Sequence, residues 1–227
     1  MARDWRRLFL RTTVSVRTTW TFRLMLVAGL SLLLIMARGV WIPMVGRALV
    51  CDSSIRPSDA IMVDNFEVNY LIFERAEQLK SSGIASRVLV PTQASIESGE
   101  PNRVFAGIAE VMAGVARLPH PELIPVREIE PISLNAAYQI RDFLQRERLR
   151  SIVLVTPAFR SRRSALIYAA VLGPVGIRTS CVPVFGPQQG PDTWSRTLHG
   201  IQEVVEQHMK LLYYKLYVMP YLLHRSS

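Results

Sequence analysis

IVLVTPAFRSRRSALIYAAVL, residues 152–172, decides the fold. Ile152-Val153-Leu154-Val155 is a short apolar run rich in β-branched side chains, the pattern of a strand buried on both faces. Thr156-Pro157 closes the run, and a helix is expected from about Ser161 to Leu172 before Gly173 to Gly176 breaks it. A strand that hands directly to a helix is half of a strand-helix-strand unit, and the rest of the chain repeats it.

Upstream, Ala60-Ile61-Met62-Val63 is an apolar run that stops at Asp64-Asn65. Leu71, Ala76 and Leu79, interleaved with Arg75, Glu77 and Lys80, then predict an amphipathic helix ended by Ser82-Gly83. Arg87 to Val90 is read as a second strand, closed by Pro91. Residues 94–103 are polar and loop-like, followed by helices at about 104–117 and 135–148 on either side of a third strand at Leu123 to Val126. Downstream, Arg178 to Pro183 makes a fifth strand, and Ser195 to Tyr217 a long last helix. This alternation predicts an α/β three-layer sandwich, Rossmann-like, with a mainly parallel sheet of about five strands.

In such sheets ligands sit beyond the carboxyl ends of the strands, so the residues that follow each strand are the candidates. They are Asp64-Asn65, Thr92-Gln93, Glu128 to Asn135 and Thr156 to Arg163. Phe159 to Ser164 places free backbone N–H groups, the positive end of a helix and three guanidinium groups together, which suits a phosphate, pyrophosphate or carboxylate. Arg160 and Arg163 share a helix face and Arg162 points away, so the first two are expected to bind ligand. The alternative is that they are solvated or paired with carboxylates. Asp64 is the one catalytic candidate, as a general base or a binder of a sugar hydroxyl. Asn65, Gln93, Asn135 and Thr156 are candidate ligand-orienting groups, and for the Asx residues capping is the competing role. Glu128 and Glu130 would share a face of a strand, on a solvated edge. His199 and Glu203, one helical turn apart, are expected to form a structural hydrogen bond, with a proton relay as the alternative; Asp192 or Thr193 is the expected cap of their helix. There is no GxSxG, P-loop or GxGxxG, and no nucleophile is identified.

The order of these segments resembles the SanA, ElyC and YdcF family, a bacterial domain-of-unknown-function family with a Rossmann-like fold that is often tethered to the inner membrane. The resemblance runs from about Leu49 to Val218 and rests on PSDAIMV, FERAEQLKSSGIASRVLV, ISLNAA and, most specifically, VLVTPAFRSRRSALIY. Arg75, Asn135, Thr156 and Arg163 match the family pattern. Asp64-Asn65 stand where the family has a Gly pair, Pro91-Thr92-Gln93 replaces a second Gly-rich turn, and Arg160 occupies the place of a His. The resemblance implies a role in the cell envelope.

The formal charge of +9 is unevenly spread. Residues 1–58 carry nine Arg and two Asp, which leaves only +2 for the remainder. The excess base reads as a membrane-orientation signal rather than a stripe for nucleic acid, which is not an expected partner. Arg3, Arg6, Arg7, Arg11, Arg17 and Arg23 precede an apolar run from Leu24 to Ala37, and Trp20 and Trp41 bracket a span of roughly 31 Å if helical. Residues 1–47 are therefore expected to form a cytoplasmic basic tail and one transmembrane helix in the cell inner membrane. Residues 48–227 would then form a periplasmic or otherwise extracytoplasmic domain. A cleaved signal peptide and a buried soluble helix are the alternatives; no A-x-A-like site follows the run. The tyrosine-rich stretch from Leu211 to Leu223 is expected to pack on the domain and end at Pro220, with a membrane interface as the other reading. Cys51 and Cys181 allow at most one disulfide. No metal or cofactor is expected, because the histidines and cysteines lack ligand spacing. Expected partners are inner-membrane lipid, a phosphate-bearing small molecule and other envelope proteins.

Overall fold

The structure is a computed structural model and describes residues 18–52, 55–67, 69–187 and 189–222. The five arginines from Arg3 to Arg17, and Leu223, lie outside the described residues. Two compact units are present, divided between Trp41 and Ile42.

The first unit contains helix α1 (Trp20–Met36), capped by Thr19, whose hydroxyl accepts from the Phe22 N–H. None of its residues is buried, although the sequence is almost wholly apolar. The expected single span is interrupted at Ala37, and α2 (Arg38–Arg47) follows with Pro43 inside it. The Leu34 carbonyl near the break accepts instead from the Trp41 indole at 3.0 Å, so the orphaned acceptor is satisfied. No single helix among the described residues is long and apolar enough to cross a membrane, though α1 and α2 satisfy that length and composition together as a bent pair.

The second unit is a five-stranded, wholly parallel sheet of β1 (Ala60–Val63), β2 (Arg87–Ala94), β3 (Glu122–Arg127), β4 (Ser151–Pro157) and β5 (Arg178–Val184), in the order β3-β2-β1-β4-β5. Between the strands lie α3 (Tyr70–Ser81), α4 (Arg103–Val115), α5 (Ile132–Arg146) and α6 (Ala158–Leu172), and α7 (Leu198–Tyr213) runs on into a π-helical segment, Tyr214–Leu222. Alternation with period two divides the core. Ile61, Val63, Val88, Val90, Val153 and Val155 face α3 and α4, whereas Ala60, Met62, Leu89, Ile152 and Leu154 face α5 and α6. Both faces are covered, as a parallel sheet requires, giving three layers.

Gly83 takes φ +78° where α3 stops, as Ser82-Gly83 predicted, and the caps of α3 and α4 are Asn69 and Asn102. Pro91 does not close β2; the strand continues to Ala94 in register with β3 through Ala94↔Arg127. The Pro91 carbonyl accepts from the Asn65 amide just past the end of β1, so the edge of Pro91 that lacks a donor faces space that β1 has already vacated. Helix α7 is capped by Thr197, not by Asp192 or Thr193. Pro220 lies inside the π-helical segment rather than at its end. Tyr214 and Val218 from that segment are buried in the core, while Tyr213, Tyr217 and Tyr221 form an exposed row with ring centroids 5.6 and 5.7 Å apart.

Residues 42–51, part of which the sequence reading gave to the anchor, strap onto the sheet. Gly46 packs against Pro191 and Trp194, the Trp194 indole donates to the Ile42 carbonyl, and Arg162 N–H donates to the Leu49 carbonyl. A Cys51–Cys181 disulfide then closes a sequence separation of 130 residues onto β5.

Candidate functional site

The strand order reverses between β1 and β4: successive strands step outward to β3 on one side and to β5 on the other. The connections therefore leave in opposite directions, which opens a crevice beyond the carboxyl ends of β1 and β4. Asp64 directly follows β1, Thr156 is the last residue but one of β4, and α6 begins at Ala158. No side chain caps α6, whose N-cap is Pro157, and its first turns carry Arg160, Ser161, Arg163 and Ser164, all buried.

Asp64 is 1% exposed. One carboxylate oxygen accepts from Thr156 Oγ1 and Ser164 Oγ, both at 2.7 Å, and lies 3.3 Å from Arg160 Nε in a buried ion pair. That Nε–H is not directed at the oxygen and makes no hydrogen bond, so the attraction is ionic rather than directional. Arg160 extends past Asp64 to Glu67, with Nη1 at 3.1 Å from Oε1, and its guanidinium lies over the Phe66 ring. Arg160 thus has one buried and one half-exposed counter-ion.

Arg163 is different. It is 5% exposed, yet its Nη1 donates to Ser133 Oγ at 3.0 Å and its Nη2 to Gln207 Oε1 at 3.2 Å, both neutral acceptors. Its Nε is buried with no acceptor, and among the described residues no carboxylate forms an ion pair with it. Burial, and then the neighbouring Arg160 charge, lower its pKa from the usual guanidinium value.

Both arginines line a crevice of about 390 Å³, walled also by Glu67, Ser133, Lys210 and Tyr214. Glu128 and Glu130 line it as well; they follow β3 in a loop rather than sharing a strand edge, because β3 ends at Arg127. Glu128 accepts from Gln93 Nε2 at 3.0 Å, which holds it there. A second crevice of about 460 Å³ lies behind the same wall, bounded by Ala158 and Phe159 of α6 and by His199, Gln202, Glu203 and Gln207 of α7. Glu67 lines both. In the second crevice the Glu203 Oε2 is buried with no partner, and no hydrogen bond joins it to His199. Burial raises the Glu203 carboxyl, His199 offsets part of that, and Glu67 and Glu206 add to it.

The sequence-derived candidates thus separate into two groups. Asp64, Thr156, Arg160 and Arg163 meet in one network, with Asp64 behind Arg160 and lining neither of these two crevices. Four others do not join them. Asn65 bonds the Pro91 carbonyl, Arg75 bonds Gln78 on the outer face of α3, Gln93 supports Glu128, and Asn135 donates to the carbonyls of Ile129 and Glu130. Ser133 and Ser164 lay within the stretches marked after β3 and β4 but were given no role of their own, and Glu67 and Gln207 lay outside them; Gln207 carried a signal, an amide on the buried stripe of α7 between Val204 and Leu211.

No protein-family model and no curated protein matches the chain.

Proposed function

We propose that this chain is a membrane-tethered envelope protein whose α/β domain holds a phosphate-bearing anion, a metabolite or lipid-carrier intermediate, in the arginine crevice. The observation that carries the reading is Arg163: a buried cation with neutral partners, an unpartnered Nε and a place on the wall of an open crevice. Burying an unpaired cation costs several kcal/mol, roughly, and an arriving anion relieves that cost. Arg160 supplies a second guanidinium, and a dianion replaces Glu67 on it.

Three observations support the tether and the side of the membrane. Helix α1 is apolar apart from Thr21, Arg23 and Ser31 and has no buried residue, which a water-exposed helix does not tolerate. At 17 residues it is about 26 Å long, so snorkelling of Arg23 and Arg38 at its two ends completes a span near 30 Å. The Cys51–Cys181 disulfide fits an oxidising, extracytoplasmic compartment. The resemblance to the SanA, ElyC and YdcF family points to envelope or cell-wall biogenesis.

A second reading, a non-catalytic scaffold, is favoured by the exposed apolar face that Leu198, Val205, Met209, Leu212 and Leu216 form along α7 and its extension. A hydrolase or transferase using Asp64 as base is the weakest reading, because that carboxylate is already the buried counter-ion of Arg160. The test is calorimetric titration of the full chain in detergent with pyrophosphate, phosphorylated sugars, nucleotides and polyprenyl phosphates. Binding that is lost in Arg163→Met supports the anion site. Unchanged affinity in that variant, or no binding by any of them, shifts the weight to the scaffold.

A further inference from the structure

The second crevice has a chemistry of its own. Gln207 is 4% exposed, and its Oε1 is committed to Arg163 Nη2, which fixes the orientation of the amide. Gln207 lines the second crevice, and among the described residues its two N–H donors make no hydrogen bond. Beside it the buried Oε2 of Glu203 has no donor. Gln189, Gln202 and His199 add further groups able to donate and to accept, and the uncapped start of α6 closes the floor at Ala158 and Phe159. The volume of about 460 Å³ lies in the range of small-ligand sites.

Few ligands satisfy that set. A second phosphate meets the amide donors and the helix end but is repelled by Glu67, Glu203 and Glu206 on walls that carry no Arg or Lys, whereas Glu67, Glu128 and Glu130 of the arginine crevice are offset by Arg160, Arg163 and Lys210. An amine meets the carboxylates but leaves the Gln207 donors unmet. Hydroxyl groups both donate and accept, so adjacent hydroxyls satisfy amide N–H and carboxylate oxygen together.

We propose that the two crevices are halves of one site for a glycosyl phosphate, with the phosphate on Arg160 and Arg163 and the sugar hydroxyls on Gln207, Gln202 and Glu203. This rests on the anion reading of the arginine crevice. Glu67 lines both halves and pairs with Arg160, while Gln207 of the second crevice holds Arg163 of the first. Glu67 is half-exposed and gives way when the phosphate takes its place on Arg160. Gln207 stays: it lines the second crevice and its Oε1 holds Arg163 on the wall of the first, so one amide links the sugar half to the guanidinium of the phosphate half.

The test uses the full chain in detergent and calorimetry with inorganic phosphate, with glucose, mannose and N-acetylglucosamine, and with the 1-phosphates of these three sugars. At least one sugar 1-phosphate is expected to bind tenfold or more tightly than inorganic phosphate. Gln202→Ala, on an exposed rim position, is expected to erase most of that gain while leaving the affinity for inorganic phosphate unchanged. Inorganic phosphate bound with no gain from any of the three sugars overturns the two-part site and leaves the arginine crevice standing. Neither inorganic phosphate nor any sugar phosphate bound overturns both. A fall in both affinities in Gln202→Ala also overturns the division of labour. A decyl phosphodiester of the best sugar, run alongside, separates a free sugar phosphate from a glycolipid head: tighter binding of the diester identifies the lipid-linked form, tighter binding of the monoester the soluble one.

Discussion

Arg160 and Arg163 are equally buried, three residues apart on one helix, and the structure gives opposite expectations for removing them. Arg160→Met leaves Asp64 1% exposed with a full negative charge and only two hydroxyl donors, from Thr156 and Ser164. Stranding one member of a buried ion pair costs about 3–5 kcal/mol. Arg163→Met removes a cation that has no carboxylate partner and is repelled by Arg160. It forfeits hydrogen bonds to Ser133 and Gln207, worth about 1.5–3 kcal/mol each as charged bonds, but recovers the desolvation of a buried guanidinium, which is of similar size. The net change is expected to lie within about 1 kcal/mol of zero. Urea denaturation followed by circular dichroism, with the disulfide intact, measures both. For a domain of this size the gap corresponds to a Tm difference of roughly 6–20 °C. Asp64→Asn added to Arg160→Met removes the stranded charge and is expected to recover at least half of the loss. Equal destabilisation by the two single variants, or no recovery in the double, would refute the assignment of Asp64 as counter-ion to Arg160.

Other consequences are simpler to check. Asp59 accepts from the Arg150 and Ser151 N–H groups and from the Ser151 hydroxyl, and the Arg150 bond leads the causes that hold its carboxyl below the usual value. A depressed folded pKa means stability that is present above the ordinary carboxylate pKa of about 4 and lost as pH falls through the folded value. Asp59→Ala is therefore expected to cost about 0.5–1.5 kcal/mol at pH 7, since solvent screens this exposed carboxylate, and progressively less below about pH 4, read from urea midpoints at both pH values. Opening the Cys51–Cys181 link frees a 130-residue loop, for which chain entropy gives about 5 kcal/mol; a Cys51→Ser/Cys181→Ser variant with an unchanged urea midpoint would contradict that. In Gly46→Ala the new Cβ would lie 2.7 Å from the Pro191 carbonyl oxygen, and a loss of about 1–3 kcal/mol with altered Trp194 fluorescence is expected.

The parallel sheet was legible because Ala60–Val63 and Ile152–Val155 are continuous apolar runs, and both prove to be central strands buried on two faces. The extension of β2 through Pro91 was not, since the sequence does not reveal on which side the neighbouring strand has ended. Placing Arg160 and Arg163 together needed only helical spacing and the strand-to-helix junction. Their difference was hidden: Asp64 and Glu67 reach Arg160 across the sheet, while Arg163 meets side chains from α5 and α7 that are 30 and 44 residues away. Arg75 and Asn135 matched a family pattern yet bond to local groups, because a motif match carries no information about which way a side chain turns. The break at Ala37 had no proline or charge run to announce it.

The central claim is that the Arg163 guanidinium receives a phosphate-bearing anion. Nuclear magnetic resonance of the full chain in detergent, labelled at arginine side chains and assigned with Arg163→Met, follows that group directly during titration with pyrophosphate. A saturable shift of the Arg163 Nε–H signal and slower exchange with water are expected, as an unpartnered donor acquires an acceptor. A signal that stays in place while the surface arginines shift weakly and without saturation would contradict it.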